Sequence, residues 1–561
     1  EMCIRDRCKR VKDWICRQFG QKEKKTVHHK KFADGGEVIV WETGRAGEEA
    51  ASYENLFLRK EIAGFRTNIR REQSCSIKSL TRDYLYKQLL SSGEYTFDHM
   101  LVIKDPYGEA PLTALALFIL EEPACVRVTT KGNLKETDFV TELPKKKEHR
   151  VPILGMYAEK ANDIVIEILD DEGNCVKSHT FTIRTKRLPK SLRNVITVKK
   201  WTDKPAYSNI MINGGVKIHT CVFDIEGEIR YYLSRKPRGY GIFPLSDGHF
   251  FYMEKYISVP SYSNPQTVES YDMDYFGRVF RTYLTEKGVH HTAEEKAGGN
   301  ILTGSNSMLE HTEDCVIEID RQTGEIVWQL NMAEIFDETY QNMMDWCHVN
   351  SAAYYEKDRT ILISLRNVHA VICVDYDTKK LRWILSDPKF WEGTKMTPYL
   401  LQPEGDVKWC YQQHAAFEIA LPDESNPQKK RIIVYDNHWA KRRKAKSFDK
   451  DPLSYVSFYD IDEEKKTVSL HKRFAGPKTR IRANGIYVPD KRRVYNMAGS
   501  YAEPVDGDGG GIFEYDYETG EVLSEFGVKP GFFRAYPFEP NVQELAEPMQ
   551  VTGDYQVGQI K

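Results

Sequence analysis

The sequence predicts an all-β chain: a small N-terminal β-sandwich followed by a six-bladed β-propeller, with a short helical N-terminal leader. Three observations predict it. Aromatic residues are abundant, with 32 Tyr, 25 Phe and 9 Trp, and strands favour them. From about residue 100 onward, short alternating apolar segments are bounded by Gly, Pro and Asn, the texture of half-buried strands. In the second half a segment recurs six times with a period of roughly 50 residues, a spacing that fits propeller blades and not helical solenoids.

The leader, residues 1–95, is polar and mixed, with a basic run at 22–31 and a helix expected near 76–91. The chain opens Glu1-Met2-Cys3-Ile4-Arg5-Asp6-Arg7, which reads as a non-native or truncated start, and no secretory signal is visible. The sandwich is expected over 96–190, built from HMLVIKD, ACVRVTT, IVIEILD and HTFTIRT, with Pro189–Asn194 as the exit linker. The propeller is expected over 195–545. Its repeats read VFDIEGEIRYYL, YDMDYFGRVFRTYL, VIEIDRQTGEIVWQL, VICVDYDTKKLRWIL, SFYDIDEEKKTVSL and IFEYDYETGEVLSEF. They are anchored on Asp224, Asp274, Asp320, Asp375, Asp462 and Asp516, in steps of 50, 46, 55, 87 and 54. In them Gly or Lys follows three or four residues after the Asp, where a hairpin needs a left-handed residue or a polar tip. The long step marks an insertion.

Composition excludes several function classes. At 561 residues the chain exceeds one ordinary core. Lys plus Arg against Asp plus Glu gives 80 − 82 = −2, which argues against a nucleic-acid binder. No run approaches the ~18 apolar residues of a spanning helix. The eleven cysteines are scattered, with Cys125, Cys175, Cys221, Cys315 and Cys373 inside apolar runs, and they read as small buried hydrophobes and not as a disulfide framework. No CxxC, HExxH, Walker, GxSxG or GxGxxG-helix motif is present, so neither metal nor nucleotide cofactor is expected. The GDGGG run at 507–511 reads as a blade turn and KRRKAK at 441–446 as a solvated loop.

A propeller gathers residues from separate blades around one channel, so chemistry is sought as dispersed single side chains. His28, His29, His149 and His179 stand in polar contexts and are expected at the surface, and His249 in a turn. The candidates are His290-His291 in KGVHHTAEE, His348 in MDWCHVNSAAYY with Asn350 on the same strand face, Arg366 in TILISLRNVHAVICV, His414 in KWCYQQHAAFEIAL and Arg482 in KTRIRANGIYV. A lone His between apolar residues is more often a hydrogen-bonded core residue, and a strand Arg is more often paired or snorkelling. Their joint occurrence, read as a pocket rich in His and Arg and poor in Asp and Glu, points instead to a site for an anion.

These residues also resemble the bacterial arylsulfate sulfotransferases. The likeness rests on VIKDPYGEAPLTAL, VPILGMY, DWCHVNSAAY, ILISLRNVHAVICV, LRWIL and QQHAAF, and it spans about 100–540. It implies a β-sandwich followed by a six-bladed propeller. It also implies transfer of a sulfuryl group from an aryl sulfate to a phenol, by ping-pong through a sulfohistidine and without a nucleotide donor or other cofactor. By resemblance His414 is the nucleophile, His291, His348 and Arg366 hold the sulfate oxygens, and Asn350 supports that set. Tyr240 corresponds to an aromatic residue of the phenol site, Phe533 stands where the family carries Tyr, and Arg482 stands where it carries Thr. Gly214 replaces a family aromatic residue, and Cys410 lacks the disulfide partner some members have. The partners implied are small aryl sulfates and phenols, with homodimerisation allowed and no nucleic acid. The family is extracytoplasmic; a cytoplasmic setting is the alternative. Aryl sulfate hydrolysis and a non-catalytic binding scaffold are the competing functions.

Overall fold

The computed structural model describes residues 27–32, 36–50, 75–202, 204–215, 217–235, 240–257, 266–307, 311–341, 343–421, 426, 428–439, 451–539, 541–550 and 553–557. The KRRKAK run lies outside these residues.

The N-terminal unit is a seven-stranded sheet bent into an Ig-like sandwich. Its pivot is the strand Ala114–Thr130, which pairs with His99–Lys104 through its first residues and with Ala161–Leu169 through its last. The register breaks between Ile119 and Ala124, where Glu121, Glu122 and Pro123 are exposed. A proline cannot donate to the ladder, so the strand turns its corner there. Alternate residues then enter one core, among them Val102, Ala116, Phe118, Val126, Val128, Ile164, Ile166 and Phe181.

The leader departs from expectation. The helix is present as Cys75–Ser91, but the described residues before it are not all a solvated appendage. Val27–Lys31 and Glu37–Trp41 are strands of the same sheet, the latter running parallel to His99–Lys104. The alternation of EVIVW, overshadowed in sequence by the neighbouring charges, supplies the apolar face. Leu85, Tyr86 and Leu90 of the helix pack with Trp41, Leu101 and Ile103 and with Tyr275 and Phe276 further along the chain. Buried Asp83 ties the same parts together. It pairs with Arg150 of the sandwich, accepts the Tyr107 hydroxyl at 2.8 Å, lies 3.6 Å from Arg278 and accepts Met549 N at 3.0 Å.

The remaining strands form a propeller-like series of five sheets, not six separate ones. The reason is one long strand. Val279–Glu295 pairs with Gln266–Asp274 through its first half and with Ile301–Ser305 through its second, fusing what the repeat spacing divides into two. The repeat is nevertheless regular at its hairpins. Asp224, Asp274, Asp320, Asp375, Asp462 and Asp516 each stand at the end of a strand, and each carboxylate accepts backbone N–H groups of the turn that follows. That is the Asx-turn chemistry an aspartate supplies. The two ends of the series are interleaved. Ile196–Lys200 edges the last sheet, beside Val522–Val528, whereas Arg534–Pro537 enters the first, beside Asn209–Asn213.

The cysteines follow the expected reading in part. Cys221, Cys315, Cys347, Cys373 and Cys410 are buried free thiols, whereas Cys175 is exposed. His149 and His179 are not at the surface: both are buried and stacked on Phe118 and on Phe32 and Phe97, because the sandwich bends over them.

Candidate active site

Six stretches of chain arrive at one place. Tyr240 directly precedes Gly241–Pro244, His348 precedes Val349–Tyr355, and His414 lies two residues before Ala416–Ile419. Arg482 lies two before Asn484–Val488, and Phe533 directly precedes Arg534–Pro537. His291 sits inside Val279–Glu295, at the irregularity between His290 and Ala293 where that strand changes partners. Three residues of this group are left-handed without being glycine, His291 at φ 58°, His348 at 57° and Arg482 at 63°, and so is Gln412, two residues before His414, at 48°. Such backbone is strained and tends to mark functional positions. Here it turns side chains out of the strand direction.

The rings meet. His291 lies 4.7 Å from His348 and 6.1 Å from His414, measured between ring centroids. Tyr240 packs 4.4 Å from His291, and Phe533 lies 5.3, 5.9 and 5.6 Å from Tyr240, His291 and His414. Arg366 is not within a strand as the sequence suggests. It opens the tight turn Arg366–Val368 after Thr360–Leu365, and its backbone N donates to His348 O at 3.1 Å. Its guanidinium donates to Asn367 Oδ1 and Gln412 Oε1, each at 3.2 Å. Asn350 is fully buried. Its Nδ2 donates to Gln413 O at 2.8 Å and its carbonyl accepts Arg534 Nη2 at 2.7 Å, so it braces the strand that carries His414.

The three imidazoles are held in different states. His414 Nδ1 faces Ala483, 2.9 Å from its carbonyl and 3.2 Å from its N–H. Donation to the carbonyl leaves Nε2 with its lone pair. Burial, and then the Arg534 and Arg366 guanidiniums, hold the pKa of His414 well below the ordinary imidazole value. His291 is likewise held low by burial first and by His348 next. His348 is the opposite case. Burial pushes its pKa down, but Asp345 and Glu313 outweigh burial and raise it to about 9. Its Nδ1 lies 2.6 Å from Glu313 Oε2 and 2.9 Å from Asp345 Oδ2. At neutral pH the site therefore contains one imidazolium beside two neutral imidazoles.

Those carboxylates overturn the expectation of an acid-poor pocket. Glu313 is completely buried, accepts the Tyr240 hydroxyl at 3.3 Å and lies 3.7 Å from His291. The sequence reading also missed Arg534, which is fully buried and approaches Glu294 at 3.7 Å. Two of the signals were present: Asp345 stands three residues before His348 and Arg534 directly follows Phe533. Glu313 gives none, because only the fold brings it to the histidines. His290–His291–Glu313 and Glu313–Asp345–His348 are spaced closely enough to enclose a cation. In the second set the His348 proton already joins the three groups, and a metal would have to displace it. Gly214 cannot carry a larger residue in this backbone, since a Cβ would come within 2.2 Å of Ile218 O.

Sequence comparison places this arrangement among known proteins. Two curated relatives are named arylsulfate sulfotransferase AssT. The one from Lelliottia amnigena is 22% identical over 563 residues, covering 76% of this chain and 90% of the relative. The one from Escherichia coli O6:H1 strain CFT073 is 23% identical over 566 residues, with the same coverage of 76% and 90%. Among solved structures, the WD40 domain of Toxoplasma gondii coronin aligns at 8% identity and a TM-score of 0.29, covering 76% of this chain and 77% of that one, a likeness too weak to bear on fold or function. The profile of the arylsulfotransferase Ig-like domain matches residues 101–186, over the bent sandwich. The arylsulfotransferase (ASST) profile matches residues 194–534, more than half of the chain and every stretch that delivers a ring or guanidinium to the site. The chain therefore belongs to the arylsulfotransferase family.

Proposed function

We propose that this arylsulfate sulfotransferase moves a sulfuryl group from an aryl sulfate to a phenol in two half-reactions, through a sulfohistidine at His414. The domain division read from the sequence, a sandwich over 96–190 and a six-bladed propeller over 195–545, belongs to the same proposal. In it the fused sheet counts as two blades sharing Val279–Glu295, and His414 lies at the mouth of the fifth.

The opposed states of His414 and His348 carry the reading. Neighbouring groups whose environments push their pKa values apart supply the nucleophile and the acid of one reaction. In the first half-reaction the Nε2 lone pair of His414 attacks sulfur. The bond from sulfur to the aryl oxygen breaks, and the electron pair leaves with that oxygen. The His348 imidazolium protonates the departing phenolate and keeps its other proton on Nδ1, toward Glu313 and Asp345. A phenol pKa near ~10 makes such a leaving group tolerable, and the covalent intermediate divides one difficult step into two. In the second half-reaction an incoming phenol returns its proton to His348 and its oxygen takes the sulfuryl group, restoring the lone pair on His414 by microscopic reversibility. Arg366, His291 and His348 face the sulfuryl oxygens as preorganised donors. Tyr240 and Phe533 are the walls of the aryl site, and Asn350 with Arg534 positions His414.

The test is intact-protein mass spectrometry after brief exposure to an aryl sulfate without acceptor. A gain of one sulfuryl group is expected for the wild type and none for His414→Ala. Rapid phenol release by a His414→Ala protein that folds normally would end the proposal.

A further inference from the structure

Arg482 is the one cation at the site that the proposed chemistry does not use. Arg366 is held by Asn367 and Gln412, Arg534 by Asn350 and Glu294, and His348 by two carboxylates. Among the described residues, the Arg482 guanidinium has neither a hydrogen bond nor an ion pair, and its Nη1 is completely buried without a partner. A buried, unpaired donor of this kind is costly unless something else receives it.

Its surroundings make the case stronger. Burial lowers the Arg482 pKa, and the Tyr240 oxygen lies within electrostatic range of it. Lys217 lies within electrostatic range as a second cation, its pKa lowered by burial and then by Arg482, and its Nζ donates to Pro530 O at 3.1 Å. Two cations close enough to repel, neither paired with an acid among the described residues, favour an anion beside them. Arg482 is also held at φ 63°, next to Ala483, whose backbone orients His414. Its position relative to the nucleophile is therefore fixed. Beside it Ile481 is 37% exposed, which puts this edge of the site at the protein surface.

On the proposed sulfuryl transfer, we infer that Arg482, with Lys217, forms a second anion subsite that receives an anionic ring substituent of the phenol. The preferred substrates are then hydroxyaryl acids, such as hydroxybenzoates, and their sulfate esters. The same aryl site serves departing and incoming phenols in turn, so the preference applies to both. The transferred sulfuryl group does not need Arg482, because it already faces Arg366 and the His348 imidazolium.

The experiment compares wild type, Arg482→Gln and Arg482→Lys, each checked for unchanged melting. The acceptors are 4-hydroxybenzoate and its neutral isostere 4-hydroxybenzamide, with 4-nitrophenyl sulfate as donor. Arg482→Gln should lower kcat/KM for the acid by roughly ten- to a hundredfold, the size expected of a charged hydrogen bond, chiefly through KM. The amide should be untouched, and Arg482→Lys should recover part of the loss. Equal losses on both acceptors would place Arg482 on the transferred group, and no loss on either would remove it from recognition; each overturns the inference. Calorimetric titration of 4-hydroxybenzoate into the resting proteins reads the subsite separately. Wild type that binds the acid through Arg482 but transfers nothing would sink the proposed function and leave the subsite standing, whereas binding insensitive to Arg482→Gln would sink the subsite.

Discussion

Replacing Asp345 with Asn should move the alkaline limit of the reaction. His348 is raised from an ordinary 6.5 to about 9 by its two carboxylate neighbours. Burial acts against that displacement, so Asp345 and Glu313 together contribute more than the net value. Asp345 is the larger of the two electrostatic contributions. Its removal should therefore lower the His348 pKa from about 9. The groups facing His348 are Asp345 and Glu313 on one side and His291 on the other, with Arg366 and Arg534 acting on neighbouring His414, and none of the others is altered. The assay is the pH dependence of the donor half-reaction with 4-methylphenyl sulfate, whose leaving phenolate needs a proton. Wild type should lose rate above about pH 9, and the variant at a distinctly lower pH. Stability gives a second readout. A histidine whose folded pKa exceeds its unfolded one stabilises the fold fully below about pH 6.5, and that contribution disappears as pH rises through about 9. Asp345→Asn should accordingly cost more in melting temperature at pH 6 than at pH 10. An alkaline limit that stays within a few tenths of a unit of wild type refutes His348 as the acid.

Arg366→Leu should raise the barrier by about 2–4 kcal/mol, the usual loss for an oxyanion donor, with little change in melting; wild-type turnover would take Arg366 out of the mechanism. Asp83→Asn leaves Arg150 and Arg278 short of a buried carboxylate and should cost about 3–5 kcal/mol in urea unfolding. A loss below ~1 kcal/mol would mean that the helix Cys75–Ser91 is held by its apolar face alone.

The repeat was legible because each unit needs the same two things, an alternating buried strand and an aspartate to cap the next turn. Asp224 and Asp516 do the same job nearly three hundred residues apart. The fusion of two units along Val279–Glu295 was not legible, since alternation shows that a segment is a strand and not where it exchanges partners. His414 and Arg482 stand just before strand starts and Arg366 just after a strand end, so all three could be named as candidates. Glu313 could not. Its contact with His348 depends on Val349 N donating to its carbonyl and Asn306 Oδ1 accepting its N–H, which places a side chain from the connection between Ile301–Ser305 and Cys315–Ile319 against the start of the next sheet. Asp345 was overlooked for a different reason: an i, i+3 neighbour in an irregular segment is read as solvent-facing unless something buries it.

The interleaving of the two ends orders events on the ribosome. Phe533 and Arg534 reach the histidines only with the strand Arg534–Pro537, and that strand pairs with Asn209–Asn213, made more than three hundred residues earlier. At ~5–20 residues per second the earlier strand waits roughly twenty seconds to a minute for its neighbour. Through that interval it presents bare amides and carbonyls to any other nascent chain. A chain cut short before Pro537 leaves that edge of Asn209–Asn213 without its partner, so yield in a heterologous host should respond to translation speed and holdase supply.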